Sequence, residues 1–171
     1  EKDGGNAMDA AIASSFAISV VRPQSTGIGG GGFLLWHNGA TGKVEVFDFR
    51  ERAPQAATKT MFLDAKGEPD PAKSRDSALA VGVPGTVAGL ALAHRKYGSG
   101  KLSLADLLAP AIDLANKGFA VKDDLADSLP RARDRIARWR SSAEILLKDG
   151  GKPWQEGDRL IQFDLANTLR T

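Results

Sequence analysis

Cysteine is absent from the 171 residues. Its absence excludes disulfides, thiolate zinc sites and cysteine nucleophiles, but it leaves the compartment open, because many exported bacterial proteins also lack cysteine. The chain also lacks an excess of one charge. Its 23 basic and 21 acidic side chains nearly cancel to a formal +2, too little to draw in nucleic acid or an anionic membrane, whatever the pI near 9.0 implies. No apolar run approaches the roughly 20 residues that cross a bilayer, and the N-terminus has no basic-then-apolar signal pattern. The opening Glu1-Lys2-Asp3-Gly4-Gly5 has no methionine, and Leu169-Arg170-Thr171 falls inside a helical pattern. Both ends therefore read as cuts or processing sites, and 1–171 as part of one domain truncated at both ends. No internal repeat is present.

What is there is 42% hydrophobic, enough for one sizeable core. Asn6 to Val21 is almost continuously apolar, with Asn6 able to cap and Asp9 suited to the first turn, which predicts a helix buried on most sides. Arg22-Pro23 ends it and a glycine-dense loop runs from Gln24 to Gly32. Phe33 to His37 and Lys43 to Phe49 are strand-like, and the turn formers Asn38-Gly39-Ala40-Thr41-Gly42 join them as a hairpin. The polar stretch from Pro54 to Arg75, broken by Gly67, Pro69 and Pro71, reads as a surface excursion. Pro84 presets a helix to about Tyr97 with Gly98 as its stop, and Ser103 caps another that reaches Lys117 before Gly118, with a kink expected at Pro110. A charged segment from Lys122 to Arg140 and a last helical piece from Asp164 to Leu169 complete a helix-rich second half. One hairpin is marginal without further strands or a covering helix, so these residues supply helices and a hairpin but not a complete sheet.

Several motifs lose their first meaning in context. Gly27-Ile28-Gly29-Gly30-Gly31-Gly32 satisfies G-x-G-x-x-G, yet a helix precedes it and a strand follows, the reverse of a dinucleotide turn. A Walker loop fails as well, because Phe33 and Leu34 stand where Lys and Ser/Thr belong. Glycine there serves close backbone approach or positive φ, with Gly30 and Gly31 the candidates for close packing. In Gly85-Thr86-Val87-Ala88-Gly89 the hydroxyl sits at the second position, not the third of a nucleophile elbow, so Thr86 reads as a helix-start residue. His37 and His94 have no ligand spacing, and neither a metal nor a cofactor is implied. Arg131, Arg133, Arg135, Arg138 and Arg140 look like a nucleic-acid stripe, but Asp127 with Arg131 and Asp134 with Arg138 are i,i+4 pairs and favour a solvated, salt-bridged face interrupted by Pro130.

Asp48-Phe49-Arg50-Glu51-Arg52-Ala53-Pro54 collects two arginines and two acids at a strand end. A guanidinium there can bind a carboxylate through two parallel hydrogen bonds, and it can equally be tied up by Asp48 or Glu51. The residues alone favour the internal ion pair.

Four segments in order, Gly4-Gly5-Asn6-Ala7-Met8-Asp9-Ala10-Ala11, Pro23-Gln24-Ser25-Thr26-Gly27 through Phe33, Asp48-Phe49-Arg50-Glu51 and Pro84 to Gly89, resemble the γ-glutamyltranspeptidase family. The similarity continues through Ala53-Pro54, Met61-Phe62-Leu63-Asp64 and Gly118-Phe119 to Asn167, nearly the whole chain. It implies an α+β fold, the αββα sandwich of N-terminal-nucleophile hydrolases, here as part of the large subunit. It further implies a self-cleaving precursor, a threonine nucleophile on a small partner subunit, and export to the periplasm or outside the cell. The free α-amino group of that threonine acts as base, and the γ-glutamyl group passes through a threonine ester to water or an amine. No catalytic residue is then expected in these 171 residues. The Arg-Glu-x-Ala-Pro motif makes Arg50 resemble the clamp for the glutamyl α-carboxylate, with Glu51 beside it as its support. A cephalosporin or glutaryl acylase of the same superfamily and a non-catalytic binding or scaffold homologue are the alternatives.

Overall fold

Helix α1 (Ala7–Val21) opens with a reciprocal cap, in which the Asn6 side chain accepts from the Met8 and Asp9 N–H groups and Asp9 accepts from the Asn6 N–H at 2.9 Å. The computed structural model describes residues 4–148 and 152–171; Glu1-Lys2-Asp3, with which the sequence opens, lie outside them. Strands β1 (Phe33–His37) and β2 (Val44–Asp48) follow, then α2 (Pro71–Asp76), a 3-10 turn at Ala78–Ala80, α3 (Thr86–Tyr97), α4 (Leu104–Lys117), β3 (Phe119–Ala120), α5 (Asp123–Ile136), α6 (Arg140–Leu146), β4 (Arg159–Leu160) and α7 (Phe163–Arg170). By contacts the chain divides into residues 28–92 and residues 1–27 with 93–171.

In the helical unit, α1 packs on α4 and α4 on α7. The buried stripe of α1 is Met8, Ile12, Phe16 and Val20, one residue per turn, and α4 answers with Leu107, Ala111 and Ala115. The two fully buried alanines let the helix axes approach closely. The expectation that α1 is buried on most sides is corrected within this chain. Ala10, Ala11 and Ile18 are exposed, because one helix neighbour covers only one stripe of a cylinder that is apolar all round. A second cluster joins Val121, Leu125, Leu129 and Leu160. It sits under the short antiparallel ladder in which Phe119 pairs with Leu160 and Ala120 with Arg159. Helices α4 and α5 continue as single elements through Pro110 and Pro130, so neither proline divides its helix. Gly118 follows α4 with φ 76°, in the left-handed region that favours glycine.

Residues 28–92 hold the expected hairpin, with Phe33 opposite Asp48 and His37 opposite Val44. Alternation gives it two unlike faces. Phe47 is buried, whereas Phe33, Leu35, Val44 and Val46 all point outward and Leu35 is 71% exposed. The excursion between Pro54 and Arg75 contains an unforeseen helix, α2, capped by the Asp70 side chain with Pro71 in its first turn.

Candidate functional site

The corner after β2 is held by glycines from two segments far apart in sequence. Phe49 N–H donates to the Gly32 carbonyl at 3.0 Å, which extends the hairpin ladder by one residue pair. A Cβ on Gly31 would stand 2.5 Å from the Phe49 carbonyl oxygen, 2.8 Å from the Glu51 nitrogen and 2.9 Å from the Arg50 Cα. Such spacing admits only glycine. Gly85, just before α3, has the Phe49 carbonyl oxygen where its Cβ would be, and Gly89, one turn on, has the Phe49 side chain there. The Gly30 carbonyl accepts from the Gly85 N–H at 2.9 Å and the Thr86 N–H at 3.1 Å, which ties the glycine loop to the start of α3.

These contacts correct the reading of the glycine run in one respect. None of Gly27, Gly29, Gly31 and Gly32 has positive φ. The run serves space at Gly31 and, against the Phe49 ring, at Gly32, while Gly27 and Gly29 face nothing within 4 Å. Gly30 acts through its carbonyl. Thr86 is the helix-start residue the sequence indicated.

Arg50 and Glu51 meet as expected, through one hydrogen bond from Arg50 Nε to Glu51 Oε2 at 3.2 Å. The Arg50 side chain is 63% exposed, and among the described residues only Nε is engaged, which leaves both terminal amino groups available for a bidentate partner. Asp48 does not pair with the guanidinium. Its Oδ1 accepts the Arg50 backbone N–H at 3.0 Å and fixes the turn instead. The Glu51 carboxyl is held below the usual carboxylate range by its own backbone N–H first, against some desolvation, with further help from the Arg50 guanidinium and the Gly31 N–H. On its other side a Cβ at Gly82 would lie 2.9 Å from Glu51 Cβ. Arg52 is placed by a short antiparallel bridge, donating to the Val83 carbonyl at 3.3 Å and accepting from the Val83 N–H at 2.8 Å. Phe49, Gly82 and Gly89 were not legible as parts of this corner. The signal for Gly89 was two unexplained glycine motifs, and only the tertiary contact shows that both address one segment.

Two of the other candidates have partners within the chain. His94 Nε2 lies 2.9 Å from the Leu102 carbonyl and 4.0 Å from Asp9 Oδ1. No group of three or more potential metal ligands occurs among the described residues. In the arginine-rich stretch, Arg131 pairs with Asp127 and Arg140 with Glu144, both at i,i+4.

Helices with two small antiparallel sheets make an α+β fold, and likeness to solved structures places it in the class of the N-terminal-nucleophile hydrolases. The chain belongs to the gamma-glutamyltranspeptidase family, whose sequence model matches residues 2–171. It is 44% identical over 168 residues to a glutathione hydrolase proenzyme of Escherichia coli, covering 98% of this chain and 28% of that proenzyme. Among solved structures it resembles Helicobacter pylori gamma-glutamyltranspeptidase with a TM-score of 0.94 and 47% identity, over 99% of this chain and 48% of that one. Its likeness to a cephalosporin acylase from Bacillus halodurans is lower, with a TM-score of 0.80 and 31% identity over 99% of this chain and 31% of the acylase. The chain thus spans between a quarter and a half of the relatives it matches.

Proposed function

We propose that this chain is part of the large subunit of an enzyme that cleaves γ-glutamyl amides such as glutathione and transfers the γ-glutamyl group to water, an amino acid or a peptide. Residues 1–171 belong to one large-subunit domain in this reading. The acyl-carrying threonine sits on a small subunit released from the same precursor, and the enzyme works in the periplasm or outside the cell. The identity to glutathione hydrolase proenzymes over 98% of the chain supports it, against the lower identity to the acylase. No helix of the described residues is long and apolar enough to cross a membrane.

The single observation that carries a role for this chain is the Arg50 guanidinium, exposed at a glycine-braced corner with two terminal amino groups that none of the described residues engages. Arg50 grips the α-carboxylate of the γ-glutamyl group and Glu51, through Nε, sets the plane of the fork. In the assembled enzyme Arg50→Ala should cost about 2–5 kcal/mol of transition-state binding, roughly 30- to several-thousand-fold in kcat/KM. Arg50→Lys should recover little of it, since ammonium keeps the charge and loses the planar fork. The test pairs γ-glutamyl-p-nitroanilide with 4-aminobutanoyl-p-nitroanilide, the same donor without its α-carboxylate. The two deletions remove one interaction and should not add. Full additivity would return Arg50 to a structural ion pair, and Arg52→Ala is the control.

A further inference from the structure

We propose that Phe49 is a positioning residue for Arg50, seated in a socket that the two glycine motifs form together. The proposal rests on the reading of Arg50 as the carboxylate clamp and adds what holds that clamp in place. Phe49 is the residue before Arg50, so its φ, ψ and carbonyl direction fix where the Arg50 Cα starts. Four glycines surround it. Gly32 lies beside the far edge of the ring, where a Cβ would come within 3.2 Å of Cε2 and 3.6 Å of Cζ. Gly89 lies against the near side, where a Cβ would stand 2.5 Å from both the Phe49 Cβ and Cδ1. Gly31 and Gly85 both close on the Phe49 carbonyl oxygen. Backbone on both sides therefore fixes the ring and the peptide that leads into Arg50, and a flexible side chain in those places would not.

The socket has a chemical reason. A bidentate clamp loses its second hydrogen bond when the guanidinium is displaced by a fraction of an ångström, so it needs a rigid mount. Arg50 itself is exposed and joined to its surroundings by one side-chain hydrogen bond. Its rigidity has to come from the backbone beneath it, which Asp48 holds at the Arg50 N–H, Val83 holds at Arg52 and the glycines hold at Phe49. The motifs Gly27 to Gly32 and Gly85 to Gly89 then have one shared object.

The experiment uses the full-length, matured enzyme and reads the ratio of kcat/KM for γ-glutamyl-p-nitroanilide to that for 4-aminobutanoyl-p-nitroanilide in wild type, Arg50→Ala, Phe49→Leu and Gly89→Ala. Phe49→Leu and Gly89→Ala should each lower the ratio by about tenfold or more, chiefly through KM for the carboxylate-bearing donor, while the rate on the decarboxylated donor stays within about twofold. A residue that only stabilises the fold would depress both donors alike and leave the ratio at its wild-type value. That result in Phe49→Leu, with Arg50→Ala collapsing the ratio, overturns the socket and spares the clamp. A wild-type ratio in Arg50→Ala overturns the clamp and the socket with it. Should Gly89→Ala fail to mature, Phe49→Leu, which adds no atom to the socket, decides alone.

Discussion

A carboxylate taken out of water has to be met by donors, and Asp9 is met on two sides. It is 1% exposed, accepts from the Asn6 N–H at 2.9 Å and from the Ser99 N–H at 3.1 Å, and has His94 Nε2 4.0 Å away. Burial pushes its carboxyl up, but the Ser99 and Asn6 hydrogen bonds and the His94 ring outweigh that and hold it below the usual range. One side chain thus caps α1 and fastens it to the turn between α3 and α4, where the Asn6 amide also donates to the Tyr97 carbonyl at 2.8 Å. Asp9→Ala should cost about 1.5–3 kcal/mol, as for a buried hydrogen-bonded charge. Because the folded carboxyl titrates below its unfolded value of about 3.9, its stabilisation is present above that pH and fades as pH falls through the lower folded value. Acid unfolding followed by circular dichroism should therefore be shallower below pH about 4 in Asp9→Asn than in wild type. An unchanged acid limb would remove Asp9 from the list of pH-linked groups.

At the scale of elements, the glycine loop discriminates between residues that look alike in sequence. Gly31→Ala should cost about 1–3 kcal/mol, because backbone of residues 49–51 fills the space of its Cβ and cannot swing aside. Gly29→Ala should be nearly neutral in stability, since nothing lies within 4 Å of that Cβ. Equal thermal stabilities of the two variants would contradict the close-packing account. The difference was illegible in the run itself. Periodicity and capping, by contrast, were fully local signals: Asn6 with Asp9, Ser103 with Asp106 and the turn from Asn38 to Gly42 each carry their instruction within a few residues. The hairpin and α1, α3, α4 and α7 were readable for that reason. The two-residue strands β3 and β4 were not, because Phe119 and Leu160 pair across a long separation with no alternating pattern to announce it. Nor was α2, although Asp70-Pro71 is a cap followed by a proline and was available as a signal. In the candidate site the sequence pointed to Arg50 and Glu51, and it was silent on Phe49, whose importance depends on glycines from elsewhere in the chain.

On the scale of the whole molecule, the hairpin turns Phe33, Leu35, Val44 and Val46 outward as a contiguous apolar face. A face of that kind is stable in water only when covered. If the proposed small subunit and the rest of the fold cover it, this chain expressed by itself should not hydrolyse γ-glutamyl-p-nitroanilide and should self-associate at micromolar concentration. Light scattering would show the association, and Leu35→Lys with Val46→Lys should relieve it. A monodisperse, active chain would contradict both the uncovered face and the missing nucleophile. The same face has a consequence for the cell. Chaperones and proteases recognise uncovered apolar strands, so a copy that fails to assemble advertises its failure through the surface that assembly would have hidden. On the proposed function, the hairpin would then mark precursor that has failed to fold, with no dedicated degradation signal needed.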